Sequence, residues 1–152
     1  MKIFIYIVIV LVAIAVIAGF FIVGSPQEER LRRFDEKRVQ DLQSIQYQII
    51  NYWTSKSVLP VTLSNLNDSI SGFIVPKDPV SGLDYTYRIK NSNNLIFELC
   101  ANFETAGLVN NQLTKPVYPY GMEENWQHDK GMKCFERKID PQLYPPKIAP
   151  VR

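Results

Sequence analysis

Residues 3–23, IFIYIVIVLVAIAVIAGFFIV, form a run of 21 largely apolar residues without one charge. A helix of that length rises about 30 Å, the thickness of bilayer hydrocarbon. The abundance of β-branched residues does not argue against a helix, because within lipid a lone segment can satisfy its backbone N–H groups only by coiling on itself. The pattern predicts a transmembrane anchor over 1–24. A cleaved signal peptide is the alternative reading, with AIA at 13–15 as its small-x-small site, but largely apolar sequence continues beyond it to residue 23.

Past that run the apolar period changes. Ser25 with Glu28 reads as a capping box, and Pro26 suits the first helical position. Leu31, Phe34, Leu42, Ile45, Ile49 and Tyr52 or Trp53 recur at steps of mostly three and four, with Arg38 on the one missing beat. This predicts a helix over 25–56, about 48 Å long. Its first half carries charge nearly all round and reads as a solvated stalk. Its second half should dock through Leu42, Ile45, Ile49, Tyr52 and Trp53.

Leu59 precedes Pro60 and so leaves the helical region. Thr62 or Ser64 can cap a short helix that turns Leu63 and Leu66 inward. In VPKDPVSGLDYTY, residues 75–87, Pro79 supplies a fixed φ, Asp78 a side-chain cap and Gly82 a positive φ, which together spell a turn. Tyr85, Tyr87 and Ile89 then alternate with Thr86, Arg88 and Lys90, and NSNN leads into LIFELCA, the pattern of a β-hairpin. GMKCFERKI reads as a third strand. Residues 102–130 carry little regular pattern, and the tail over 140–152, with four prolines, reads as extended. The predicted class is α+β: an N-terminal transmembrane helix continuing into an amphipathic helix packed on a small antiparallel sheet, with the β domain over 57–139.

Charge and chemistry add little to this picture. The chain carries a formal net charge of +2, falling to +1 without Lys2, with both signs interspersed, so nothing points to nucleic acid. Cys100 and Cys134 sit in strand-like runs without metal-ligand spacing. A disulfide suits them and places the domain in an oxidising compartment, the alternative being two buried free thiols. Orientation is contested, since Arg30, Arg32, Arg33, Lys37 and Arg38 follow the apolar run and the positive-inside rule would keep them in the cytoplasm. The cysteine pair favours the outside. A calcium loop at Asp78 and Asp84 lacks the alternating acidic spacing such loops use, and the turn is preferred. His128 is the only histidine; with Glu123, Glu124, Asp129 or a reduced Cys134 it forms a feeble metal set, and a structural or exposed role is preferred. Trp126 reads as filler between the long loop and the sheet, its indole N–H finding a carbonyl. Tyr118, Tyr120 and Tyr144 lie in Pro-rich loops suited either to partner contact or to packing over sheet edges. Neither a nucleophile motif nor a framed carboxylate pair is present, so no enzyme, cofactor or metal is expected.

Tyr52, Leu59, Pro60, Leu63 and Leu66, followed by Val75, Pro76, Asp78, Pro79, Gly82, Tyr85 and Tyr87, form an ordered series. Preceded by DLQSIQYQIINYW, it resembles the helix-to-sheet region of bacterial type IV pilin-like proteins, in particular the major pseudopilin of type II secretion. The likeness spans residues 30–90, about 40% of the chain. It departs at the leader. Gly19-Phe20 falls at the end of the apolar run and the fifth position from Phe20 is Gly24, where such pilins carry Glu, so cleavage there would discard most of the anchor. The resemblance therefore implies a stably anchored, single-pass, non-enzymatic domain outside the cytoplasmic membrane. Its partners would be the lipid bilayer and other pilin-like or secretion-system subunits, and its work surface assembly, secretion or adhesion. An anchored ligand-sensing or regulatory domain and a cytoplasm-facing adaptor are the alternatives.

Overall fold

The computed structural model describes residues 2–23, 25–107 and 125–147. Helix α1 runs Lys2–Val23 and helix α2 Pro26–Lys56; a 3₁₀ turn at Leu63–Leu66 leads to strands β1 (Thr86–Asn91), β2 (Ile96–Phe103) and β3 (Gly131–Lys138). The architecture is α+β. The described side chains of the apolar stretch 3–16 in α1 are all exposed, and they cover about 21 Å of rise. Among the described residues no helix is long and apolar enough to cross a membrane.

Helix α2 begins as its sequence predicts, with Pro26 in the first turn behind Ser25 in an extended conformation. The Ser25 side chain, however, makes no capping hydrogen bond, so the expected capping box is not formed. The Ser25 carbonyl instead accepts from Glu29 N at 3.2 Å, the ordinary first helical bond. At the other end Ser57 turns left-handed (φ 60°) and its N–H returns to the Trp53 carbonyl at 2.7 Å, which stops the helix before Leu59 and Pro60.

The three strands form one antiparallel sheet in the order β1-β2-β3. Period-two alternation on β2 sends Phe97, Leu99, Ala101 and Phe103 to one face. They are buried in one cluster with Leu42, Ile45, Ile49 and Trp53 of α2 and Phe135 of β3. Leu63 and Leu66 join the same core, as their spacing predicts, and Tyr52 packs on it half-buried. Pairing places Cys100 opposite Cys134 on the other face of the sheet, and the two are joined by a disulfide with S–S 2.07 Å.

Two further expectations are corrected. The near half of α2 is not wet all round: Asp35 and Arg38 are each 2% exposed, while Glu36, Lys37 and Gln40 beside them stay exposed. The tail is not extended at its start: Asp140 caps a turn through Gln142 N (2.8 Å) and its carbonyl accepts from Tyr144 N (2.9 Å). That turn brings the Tyr144 carbonyl to Trp53 Nε1 at 3.2 Å, and Lys147 N then reaches the Thr54 carbonyl at 2.7 Å. The Pro-rich segment thus closes over the end of α2, satisfying polar groups that the helix terminus would otherwise leave bare.

Candidate functional site

Two arrangements flank the upper half of α2. The first is a buried ionic clasp. Arg38 Nε donates to Asp78 Oδ2 at 2.6 Å, its NH2 reaches Asp78 Oδ1 at 3.3 Å, and its NH1 donates to Asp35 Oδ1 at 2.8 Å. Asp35 also accepts from Glu104 N (3.0 Å), Thr105 N (2.8 Å) and Thr105 Oγ1 (2.7 Å), which ties the end of β2 to the helix. Asp78 in turn accepts from Val80 N (3.0 Å), Ser81 N (2.8 Å) and Ser81 Oγ (3.0 Å). One carboxylate therefore both caps the loop over 78–82 and bolts it to α2.

Burial opposes ionisation of Asp78, but the Arg38 guanidinium, and after it the Ser81 and Val80 N–H groups, hold its carboxyl well below the usual carboxylate range. Burial likewise works against the charge on Arg38, and its bonds to Asp78 and Asp35 overcome that and raise its pKa. One turn along α2, Asp41 accepts from Tyr85 Oη at 2.9 Å and from Lys37 Nζ. Burial first, and the Asp41 carboxylate second, push the Tyr85 hydroxyl far above its ordinary value. Burial alone pushes Tyr87 up to about 12, and its hydroxyl donates to the Pro60 carbonyl at 2.9 Å.

Of the series Pro60, Pro76, Asp78, Pro79, Gly82, Tyr85 and Tyr87, Asp78 and Tyr85 bond directly to α2 and Tyr87 to the Pro60 carbonyl. Pro60 is buried, Pro76 half-buried and Pro79 exposed at the turn. Gly82 sits at φ 68°, and its N–H closes the turn on the Asp78 carbonyl at 2.9 Å. Nothing lies within 4 Å of a Cβ built there, so the backbone alone opposes a side chain. Gly82→Ala is expected to cost about 1 kcal/mol and Gly82→Asn less, read as thermal unfolding midpoints; an Ala variant as stable as the parent would contradict this assignment. Asp84 stands apart from the clasp, exposed and 3.5 Å from Lys77. Among the described residues the one set of ligating side chains within reach of a common ion is Glu98 with Cys100 and Cys134, and its two sulfurs are spent on the disulfide.

The second arrangement is a cleft of about 170 Å³ between α2 and the loop segments on either side of the β2–β3 connection. Its α2 wall includes Arg32, Asp35, Glu36 and Gln43, and its loop wall includes Thr105, Gly107, Trp126 and His128. Phe103 stacks on His128 (3.7 Å between centroids), and Trp126 leans on Phe135 (4.8 Å) under the Arg137 guanidinium (4.2 Å). Trp126, 1% exposed, packs on Phe135 of the sheet, while most of the long loop it was expected to meet lies outside the described residues. Its indole N–H, expected to find a carbonyl, has no partner among the described residues, and neither do Arg32 Nε and His128 Nδ1. Burial pushes the His128 imidazole below its ordinary value, outweighing the Asp35 charge and the nearby backbone of Asp129 and Thr105. Glu123, Glu124, Tyr118 and Tyr120 lie outside the described residues.

Sequence reasoning missed Asp35, Arg38 and Asp41 as buried groups. The signal was there in one place, where Arg38 occupies a beat of the apolar stripe: a charged residue at a core position needs buried partners of opposite sign. Nothing in the local pattern of 102–130 marks the cleft. No protein-family model, no curated protein and no solved structure matches this chain.

Proposed function

We propose that this chain is a membrane-anchored, non-catalytic, pilin-like domain held outside the cytoplasmic membrane, where it serves surface assembly, secretion or adhesion. The observation that carries the reading is the succession of a charge-free helical run over 3–23, whose described side chains stand bare, and a helix whose distal stripe is buried on a disulfide-closed sheet. Bare apolar side chains in such number find their natural cover in lipid. The disulfide suits an oxidising compartment. Val61, Ile70 and Ile74 in the loops over 57–84 are 80%, 96% and 77% exposed, and they are the apolar contacts an assembling partner would cover. A sensing role is favoured by a separate observation, the cleft with its unpartnered nitrogens.

Membrane fractions test the anchor and the side together. The chain is expected to resist alkaline carbonate and to leave only with detergent. In intact cells a membrane-impermeant maleimide should label Cys100 and Cys134 only after an impermeant reductant has been added. Extraction by carbonate would remove the anchor, and labelling confined to lysed cells would place the domain inside. Crosslinking in membranes should give a ladder if the domain assembles with its own kind, and a single discrete species if it senses a ligand.

A further inference from the structure

The cleft beside α2 has a chemical polarity of its own. Three buried nitrogens without a hydrogen bond among the described residues, Arg32 Nε, Trp126 Nε1 and His128 Nδ1, belong to side chains that line it together. Trp126 and His128 are 1% and 9% exposed, so bulk water does not satisfy them. Leaving such a group unpaired costs about 1–3 kcal/mol. The guanidinium and indole N–H groups are donors in every protonation state, and whatever occupies the cleft must therefore present acceptor oxygens to them. Arg137 lies over the face of the Trp126 ring and Phe135 leans against it, while its indole N–H has no partner among the described residues.

The same cleft is not positively charged. Arg32 is already paired with Glu28 at 2.9 Å, Asp35 is on the wall, and Glu36 lines the cleft exposed on α2. A bare anion would meet these carboxylates, whereas a ligand that carries its own cation offsets them. Gln43 adds an amide carbonyl on the same helix face. We propose that the cleft binds a small zwitterion of the free α-amino-acid class, its carboxylate toward Arg32 and Trp126 and its ammonium toward Glu36 and Gln43. The volume of about 170 Å³ is close to that of an engineered cavity that admits benzene, which sets a ligand of about six to eight non-hydrogen atoms. Alanine and serine are of that size. The inference holds whether or not the domain assembles, and it adds a binding activity to the role proposed above.

The two indoles make the test direct. Trp53 Nε1 already donates to the Tyr144 carbonyl, so its N–H resonance serves as an internal control for Trp126. With the full chain in detergent micelles and ¹⁵N-labelled indoles, L-alanine or L-serine should move the Trp126 N–H signal saturably, with a Kd of about 1 mM or tighter, and leave Trp53 in place. Propionate and ethylamine, each bearing one of the two charges, should bind about tenfold more weakly or worse. Arg32→Gln and Glu36→Gln, both at the outer wall, should each weaken alanine binding about tenfold, and Glu36→Gln should narrow the preference for alanine over propionate. The proposal is overturned if neither amino acid moves the Trp126 signal, if propionate binds as well as alanine, if glucose moves the signal equally, or if both variants with unchanged amide spectra bind as the parent does.

Discussion

Arg38→Met is expected to destabilise the fold by about 3–5 kcal/mol, the cost of removing one partner from a buried ion cluster. The loss is not the strength of one bond. Arg38 serves two carboxylates, and the side chains of Asp35 and Asp78 are 3% and 12% exposed, so its removal strands both away from full hydration. Asp35 keeps three other donors and Asp78 keeps the turn N–H groups, which holds the effect below that of an isolated buried charge. The double variant Arg38→Met with Asp78→Asn should recover part of the deficit, because a neutral amide is cheaper to bury than an unpaired carboxylate. Urea unfolding at pH 7 reads both, and a single variant within about 1 kcal/mol of the parent, the worth of a surface pair, would show that the clasp is solvated.

The pH dependence separates this mechanism from simple loss of packing. In the parent, the folded-state pKa of Asp78 is depressed, so its contribution is fully present above the unfolded value of about 3.9 and is lost as pH falls through that value toward the folded one. In Arg38→Met the Asp78 carboxylate lacks its cation, which raises its folded-state pKa relative to the parent and lets it take up a proton earlier. The gap between parent and variant should therefore be widest near neutrality and shrink as the solution is acidified. A gap independent of pH would assign the effect to the lost alkyl packing of the arginine.

Removing the disulfide is the second large effect. Cys100 and Cys134 are 34 residues apart in sequence. A bridge of that span stabilises by about 3–4 kcal/mol in the chain-entropy account. The double variant Cys100→Ala with Cys134→Ala should thus move the urea midpoint down by roughly 2 M, for a slope of about 2 kcal/mol per molar. The bridge joins directly opposed positions on β2 and β3 and faces away from α2, so the core contacts of Leu99 and Phe135 stay available in the variant. A midpoint unchanged by both reduction and substitution would show that the sheet register alone holds the two strands together.

The elements of this fold were legible where period is local. The three- and four-residue steps of Leu42, Ile45 and Ile49 describe a helix face whatever lies opposite, and the alternation of Tyr85, Tyr87 and Ile89 describes a strand. Asp78 and Gly82 describe their turn through bonds and dihedrals that span five residues. By contrast, the charges of Asp35 and Arg38 read as a wet stalk, because desolvation depends on what packs against the helix and no neighbour in sequence reports it. The prolines of the tail predict extended backbone, whereas Asp140 turns it back onto Trp53.

From sequence alone come the charge-free run, the helix stripe and the hairpin, which follow from backbone geometry and side-chain period, while the two cysteines suggest a bridge without excluding free thiols. Only the tertiary structure decided that one aspartate of a surface turn is the counter-ion of a buried arginine forty residues away, and that Arg32, Trp126 and His128 share a cleft. The physical reason is the range of the forces involved. Propensity and hydrogen-bonded turns act within a few residues, while desolvation and ion pairing act through space and take their sign from whatever the chain folds against them.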